Sequence, residues 1–170
     1  MSNTVQSLEG EQITPLVLRD ALGSFPTGVA IVTTIGEDGR PVGLTINSFS
    51  SVSLEPALVL WSLVNTSPSI QAFRGHGAFA INILRHDQGD LCMQFARPSD
   101  DKFADVNWSE GYKGVPVLDD VLVAFECETY KLIEGGDHEV YMGEIKRIHK
   151  TENHPLVFHR GKLSELAIAS

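Results

Sequence analysis

The sequence is poor in positive charge. It has 13 lysines and arginines against 22 acidic residues, which gives a formal net charge of −9 over 170 residues. A surface of this sign repels phosphate backbones, so the composition argues against a nucleic-acid partner. It leaves room for one small anionic ligand held by local hydrogen-bond donors.

Cysteine and long hydrophobic runs are also scarce. Cys92 and Cys127 form no C-x-x-C pair, which argues against a zinc ribbon or a redox dithiol, and their apolar neighbours predict buried, reduced thiols. No apolar run approaches the ~18 residues of a membrane span. Residues 1–13 are polar and lack the basic start of a secretory signal. These absences predict a cytoplasmic protein with no membrane partner.

Motifs of common nucleotide and metal enzymes are missing. There is no P-loop and no H-E-x-x-H. Residues 75–80 match G-x-G-x-x-G/A, but they follow a predicted helix and open a predicted strand, which is the reverse of the Rossmann order. His149, His154 and His159 recur at a spacing that suits neither one helix face nor one strand face, so no metal site is predicted.

Strand signals dominate the rest of the chain, and most strands are joined by hairpin signals such as the Asp38-Gly39 turn. Strands are predicted at 29–35, 41–49, 57–63, 78–84, 121–133, 140–148 and 156–159, and helices at 15–25, 68–74 and 86–96. This order favours an antiparallel barrel with helices outside over a doubly wound α/β sheet. Residues 1–13 are interpreted as a tail and residues 14–170 as one domain.

Two local patterns refine this outline. The run from Val29 to Ile35 is almost wholly apolar, which predicts a strand buried on both faces. For the first helix, Thr14 is predicted to be the N-cap and Pro15 the first helical residue. Leu18, Ala21, Leu22 and Phe25 then form one apolar stripe.

The most unusual segment is the polar stretch from Thr45 to Ser53, in which six of nine residues carry a hydroxyl or an amide. Small donors beside free backbone N–H groups make a neutral anion-binding surface, and they also suit the edge of a flat polar heterocycle. The alternative interpretation is a serine-rich strand end or loop without a ligand.

Three further positions are candidates for ligand contacts. Lys102, in a turn-rich region, could meet a phosphate, although such lysines are often only solvated. Ser62 ends a strand that runs into Ser67-Pro68, where a helix N-terminus offers free N–H groups. His138 follows Gly-Gly-Asp at a hairpin tip, a place where scaffolds present ligand-touching side chains.

Taken in order and spacing, these motifs resemble the short-chain flavin reductases, the NAD(P)H:flavin oxidoreductase components of two-component flavin-dependent monooxygenases. The resemblance covers residues 14–166, and Ala57 departs from it where the family often has a second proline after Pro56. The motifs that carry it are Phe25–Thr34, Gly43–Pro56, Ser67–Ser69, Phe79–Leu84, Asp101–Phe103 and Gly136–His138.

The resemblance implies a mostly β fold, an antiparallel split barrel of six or seven strands with a few peripheral helices, which works as a homodimer. It implies that His138 is catalytic and lies beside the nicotinamide. It further implies a flavin site formed by Thr45, Ile46, Asn47, Ser48, Ser51, Val52, Ser53, Ser62, Leu63, Ser67, Asn82, Lys102 and Phe103.

The implied function is hydride transfer from NADH or NADPH to FMN or FAD, with reduced flavin passed to a separate oxygenase. Such a transfer needs no nucleophile or strong base, which is consistent with the lack of a catalytic triad. The alternatives are a non-catalytic flavin or haem carrier on the same barrel, a pyridoxamine-phosphate-oxidase-like enzyme, and an interaction domain with a serine-rich loop. The sequence leaves open which flavin and which nicotinamide are used.

Overall fold

The computed structural model describes residue 5 and residues 7–166. Within them the helices are α1 (Pro15–Gly23), α2 (Ile70–His76) and α3 (Gly89–Ala96), with 3-10 turns at Gly10–Gln12 and Tyr112–Gly114. The strands are β1 (Thr27–Gly28), β2 (Ala30–Ile35), β3 (Pro41–Ile46), β4 (Ser50–Leu54), β5 (Ala57–Val64), β6 (Ala78–Ile83), β7 (Trp108–Glu110), β8 (Pro116–Leu118), β9 (Val123–Gly135), β10 (His138–Lys150), β11 (Leu156–His159) and β12 (Lys162–Glu165).

Seven strands form the main antiparallel sheet, in the order β3-β2-β6-β9-β10-β5-β4. β3 and β4 follow each other in the chain yet lie at opposite edges, and residues 47–49 alone connect them. Because an extended residue spans at most ~3.6 Å, the two edges must approach to within roughly 14 Å. The sheet therefore curls into a barrel that stays open between its edges, which confirms the predicted split barrel.

Two hydrophobic clusters lie on opposite faces of this sheet. The first draws side chains from six strands and fills the barrel interior, where Trp61 stacks on Tyr141 with ring centroids 4.7 Å apart. The second packs the outer face of β2 and β6 against α3 and β8. In β2, Val32 belongs to the first cluster and Ile31 to the second, so the strand is buried on both faces, as predicted.

Several predicted boundaries are wrong. β3 ends at Ile46 and not at Phe49, because residues 47–49 carry the chain from one edge of the barrel to the other. α2 begins at Ile70 and not at Pro68, because the Ile70 N–H donates to the Ser67 carbonyl in a preceding turn (3.2 Å). The short strands β1, β4, β7, β8 and β12 have no counterpart among the predicted strands.

Helix α1 is capped as predicted but is not packed as its stripe suggests. The Val17 N–H donates to Thr14 Oγ1 at 3.4 Å, and Pro15 opens the helix. No residue of α1 is buried, and Leu22 and Phe25 are 65% and 75% exposed. The apolar stripe therefore faces away from the chain's own core.

Other predictions concern the thiols and the tail. Cys92 and Cys127 are both free and buried, and burial raises the pKa of the Cys127 thiol to about 12. Reduced, buried cysteines are thus confirmed. The predicted tail, residues 1–13, lies partly outside the described residues, and the domain boundary at residue 14 stays a prediction.

Candidate active site

A cleft of about 990 Å³ opens where the barrel is split. One wall is β3 from Pro41 to Thr45, and the opposite wall runs from Leu63 at the end of β5 to Ala72 in α2. The end of α3 and residues 98–103 close the side. This volume stands at the upper end of the roughly 300–1,000 Å³ that is usual for ligand pockets.

Both long walls carry unpaired strand edges. β3 pairs with β2 on one side and with no other described strand. β4 pairs with β5 only as far as Leu60, which lies opposite Ser50. Beyond Leu60, β5 pairs with β10 alone among the described strands, so its other edge is free. A free strand edge presents a row of backbone N–H and C=O groups. The cleft therefore offers neutral donors and acceptors of the kind that the Thr45–Ser53 stretch predicted.

Ser48 and Ser62 form a clamp beside Leu63, just outside the cleft lining. The Ser62 N–H donates to Ser48 Oγ at 3.0 Å, and the Ser48 hydroxyl lies 3.4 Å from the Ser62 carbonyl, which accepts from it. The Ser48 side chain thus takes the place of the missing strand partner of Ser62. These two bonds hold the crossing segment, residues 47–49, against Ser62. Because Ser62 directly precedes Leu63, the crossing segment closes the cleft on the side of Leu63.

The remaining predicted residues on β3 hold the wall in place. The Thr45 hydroxyl donates to the Cys92 carbonyl at 2.6 Å and so ties β3 to α3, while Thr45 also lines the cleft. Ile46 is 7% exposed and lies in the barrel interior, which leaves its backbone, and not its side chain, for a ligand.

Lys102 faces the cleft from the segment after α3. Its Nζ donates to the Phe95 carbonyl at 2.7 Å, in the last turn of the helix, where a cation is favourable. Partial burial lowers the pKa of the Lys102 amine. An anion bound beside this amine would oppose that shift, because it favours the charged form.

Gly43 lets the side wall of the cleft pack closely against β3. The Phe103 ring packs edge-on against the Phe95 ring, with centroids 5.0 Å apart, and both lie over Gly43. A Cβ at position 43 would lie 2.7 Å from Phe95 Cε1 and 3.3 Å from Phe103 Cζ. Only glycine allows this approach, so Gly43 shapes the cleft although no side chain acts there.

His138 lies at the rim of the cleft and not among its lining residues. Its Nδ1 is 2.7 Å from Asp137 Oδ1, and this hydrogen bond lowers the pKa of Asp137. The hairpin tip is fastened to the cleft wall, because the Asn65 N–H donates to the Asp137 carbonyl at 2.9 Å. His138 is also the register partner of Val64, which lines the cleft, and such partners share one face of a sheet.

Asn82 has a structural position. It is fully buried, its Nδ2 donates to the Ile31 carbonyl at 3.0 Å and to Thr33 Oγ1, and its Oδ1 accepts the Leu118 N–H at 3.0 Å. The amide therefore ties β8 to β2, and it does not line the cleft.

Four other predicted residues lie outside the cleft lining. Asn47 is exposed on the crossing segment, and Ser51, Val52 and Ser53 lie on the edge strand β4. The register of β4 with β5 shifts between Ser51 and Ser53. The structure thus gathers Thr45, Leu63, Ser67, Lys102 and Phe103 around the cleft. Ser48 and Ser62 bond to each other next to Leu63 but outside the lining, and the other four lie on the neighbouring surface.

Two features are absent from the part of the chain that the structure describes. No three histidine, cysteine, aspartate or glutamate side chains within residue 5 and residues 7–166 are grouped so that they could hold a metal ion. None of the described helices has the length and apolar character needed to cross a membrane.

A family model described as "Flavin reductase like domain" matches residues 22–167. The chain belongs to the flavin reductase family. The match includes both long walls of the cleft, the Lys102 segment and the His138 hairpin. The cleft at the split of the barrel is thus part of the flavin reductase domain itself.

Named flavin reductases are similar to this chain. The reductase component of a flavin-dependent trigonelline monooxygenase from Acinetobacter baylyi is 45% identical over 144 residues, 85% of this chain and 46% of that protein. SmoA from Agrobacterium fabrum, named FMN reductase (NADH), is 42% identical over 84% of this chain and 81% of its own length. The chain spans about half the length of relatives from Acinetobacter baylyi and Rhizobium meliloti (46% and 50%).

A solved flavin reductase structure agrees in fold. The NADH:FAD oxidoreductase SgcE6 from Streptomyces globisporus has a TM-score of 0.88 and 32% identity, covering 97% of this chain and all of its own. A second structure of SgcE6, with a TM-score of 0.86, holds NAD and FAD fragments.

One end of the cleft is not predicted by the sequence patterns. Asp38 and Arg40 line it, next to Pro41. The Asp38-Gly39 pair predicts only a hairpin turn, and that turn exists, because the Gly39 N–H donates to the Gly36 carbonyl at 3.0 Å. What the pattern does not show is that the turn ends at a cavity.

Proposed function

We propose that this flavin reductase transfers a hydride from NADH or NADPH to FMN or FAD and releases the reduced flavin to a separate oxygenase. The observation that carries the proposal is the cleft between the free edges of β3 and β5, in a domain of this family. Support comes from relatives named FMN reductase (NADH), NADH:FAD oxidoreductase and monooxygenase reductase component.

The free strand edges suit the flavin ring. When bound, the flavin supplies the hydride-accepting chemistry, so the protein needs only to hold the rings and to stabilise negative charge at the polar ring edge. We assign this task to backbone N–H groups of β3 around Thr45 and of β5 around Leu63. The clamp between Ser48 and Ser62 keeps these donors in place, because it joins the crossing segment to β5.

Lys102 and Ser67 suit the flavin phosphate. Both line the cleft, and the Lys102 amine is already held at the end of α3 by its bond to the Phe95 carbonyl. Among the residues that line the cleft, Arg40 and Lys102 are the basic ones. Two basic residues suit one phosphate group, which would lie beside Lys102. They argue against a pyridoxamine-phosphate-oxidase-like site, which would have to hold a second phosphate, that of the substrate.

His138 would contact the nicotinamide at the rim. Its Nδ1–H donates to Asp137 in the tautomer that this hydrogen bond favours, so Nε2 carries the free lone pair. That lone pair can accept an N–H of the nicotinamide carboxamide and orient the ring. Because Asn65 ties the hairpin tip to the cleft wall, His138 holds a defined position beside the reacting groups.

A homodimer explains the apolar surface that one chain leaves exposed. Leu22 and Phe25 at the α1 end and Leu54 at the end of β4 are 65%, 75% and 96% exposed. Large exposed apolar patches mark interaction sites, and we propose that a second copy covers these side chains. The cytoplasmic location stays a prediction.

Steady-state kinetics test the proposed activity. The purified protein is mixed with NADH or NADPH and with FMN or FAD, and the loss of the reduced nicotinamide is followed by its absorbance. We expect continuous turnover in at least one of the four combinations. Flavin binding without turnover in any of them would favour the carrier alternative and contradict the proposal.

A further inference from the structure

The segment that brings Lys102 and Phe103 to the wall of the cleft has no regular secondary structure. It spans residues 98–106, between the end of α3 and the start of β7. Among the backbone hydrogen bonds that the structure describes, one lies within this segment, from the Val106 N–H to the Phe103 carbonyl at 3.0 Å. Because backbone groups need partners, such a segment depends on side chains to hold its shape.

Gln94, in the last turn of α3, supplies two of these side-chain bonds. Its Nε2 donates to the Lys102 carbonyl and to the Ala104 carbonyl, each at 2.9 Å. Both partners are acceptors, so the amide nitrogen, and not Oε1, must face them. Both N–H groups of the amide are thereby used inside the protein. Gln94 itself does not line the cleft.

Lys102 is held to α3 at two points. Gln94 binds its backbone carbonyl, and the Phe95 carbonyl accepts its Nζ at 2.7 Å. The bond at Nζ restrains only the tip of a long, flexible side chain. With the backbone held as well, the amine keeps its place at the wall of the cleft before a ligand arrives. Binding an anion there then costs less conformational entropy.

We propose that Gln94 is a positioning residue for the flavin phosphate, and that it acts through Lys102. This inference rests on the proposed flavin reductase function. The amide of Gln94 touches no ligand, so its contribution appears only with flavins that carry a phosphate. Without the two bonds to Lys102 and Ala104, the segment shifts and the amine has to be ordered again when the phosphate binds.

The test compares FMN with riboflavin, which has the same ring and no phosphate. Dissociation constants of both are measured by titration calorimetry for the wild type and for Gln94→Met, which removes both donors and keeps a long side chain. One net hydrogen bond corresponds to about fivefold in Kd. We therefore expect Gln94→Met to weaken FMN by about fivefold more than riboflavin. Equal weakening of the two flavins, or no weakening of either, would overturn the proposal.

Gln88→Met is the matched control on the same helix. Gln88 precedes α3, where its Oε1 accepts the Arg85 N–H at 2.9 Å and its Nε2 donates to the Asp120 carbonyl at 3.2 Å, and it does not line the cleft. This variant also loses an amide that ties α3 to a loop. We expect it to lower the Tm and to keep the wild-type ratio of the two dissociation constants. A purely structural role of Gln94 would give the same result as this control.

A double variant tests whether Gln94 acts through Lys102. In a Lys102→Met background the amine is gone, so Gln94→Met should leave the ratio of the FMN and riboflavin dissociation constants unchanged. A further fall in the preference for FMN would show that Gln94 acts by another route and would contradict the proposal.

Hydrogen exchange of the unliganded protein gives a readout that needs no flavin. Amides of residues 98–106 should exchange faster in Gln94→Met than in the wild type or in Gln88→Met. Unchanged exchange there would show that Gln94 does not hold the segment, and would overturn the proposal.

The two proposals fail differently. Turnover of FMN by the wild type measures the flavin reductase function, whatever the variants show. Equal affinity of the wild type for FMN and riboflavin would overturn the role of Gln94, because no phosphate contact would then exist to be positioned, while turnover would still establish the reductase.

Discussion

Replacement of Gly43 by alanine is the sharpest test of how the cleft is built. The added methyl group would lie 2.7 and 2.9 Å from Phe95 Cε1 and Cδ1, and 3.3 Å from Phe103 Cζ. Phe95 is fully buried and anchors α3 in the outer cluster, so it has no free space to move into. α3 and the segment that carries Lys102 must therefore shift away from β3.

Overpacking of this kind costs about 1–3 kcal/mol of unfolding free energy. For a domain of this size each kcal/mol corresponds to ~2–4 °C, so we expect the Tm of Gly43→Ala to fall by roughly 2–12 °C. The Thr45 hydroxyl would also lose its 2.6 Å bond to the Cys92 carbonyl as α3 moves. Flavin affinity should fall together with stability, because one movement disturbs both.

The assay is thermal unfolding at a fixed protein concentration, combined with calorimetric titration of FMN. Gly75→Ala is the matched control: it lies in α2, and a Cβ there would meet no atom within 4 Å. Since alanine is favoured over glycine in helices by ~0.5–1 kcal/mol, this control should be neutral or slightly more stable. A Gly43→Ala protein with wild-type Tm and wild-type FMN affinity would show that β3 has room for a side chain at position 43.

Four further predictions concern Lys102, His138 and Asn82. Lys102→Met should weaken FMN about tenfold more than riboflavin, which lacks the phosphate, and a similar loss for both would remove Lys102 from the phosphate site. In the wild type, FMN affinity should fall as pH rises and Lys102 loses its proton, while riboflavin affinity stays level. Because burial lowers the pKa of Lys102, this fall should begin at a lower pH than an ordinary lysine would give. His138→Ala should slow NADH oxidation more than it weakens flavin binding, as measured by kcat/KM and Kd, and equal losses would argue against a nicotinamide contact. Asn82→Ala should lower the unfolding free energy by about 1–3 kcal/mol, because it leaves the Leu118 N–H buried without a partner, yet it should preserve the Kd for FMN.

Local patterns were sufficient to predict much of the barrel. The unbroken apolar run of β2 predicted burial on both faces, and the Gly135–Asp137 turn signal predicted the long hairpin of β9 and β10. These features depend on neighbours in the chain, which a sequence pattern records. The stripe on α1 shows the limit of such patterns. Periodicity identifies the apolar face of a helix, but it does not show whether the same chain buries that face.

The candidate site was predictable only in part, because its parts meet through long-range packing. Thr45 and Lys102 both line the cleft, because Lys102 bonds to the Phe95 carbonyl and Phe95 packs against Gly43, two residues before Thr45. Asn82 belongs to a motif shared with flavin reductases, but its partners Ile31 and Leu118 are distant in sequence and take up its amide in the core. The clamp between Ser48 and Ser62 likewise depends on the barrel being open at that point.

The proposed function depends on flavin binding in the cleft between β3 and β5. A crystal structure of the protein with FMN tests it most directly. We predict the ring beside Thr45 and Leu63 and the phosphate beside Lys102. Density for FMN elsewhere, such as in the smaller apolar pocket at Phe49 and Phe125, would contradict the account.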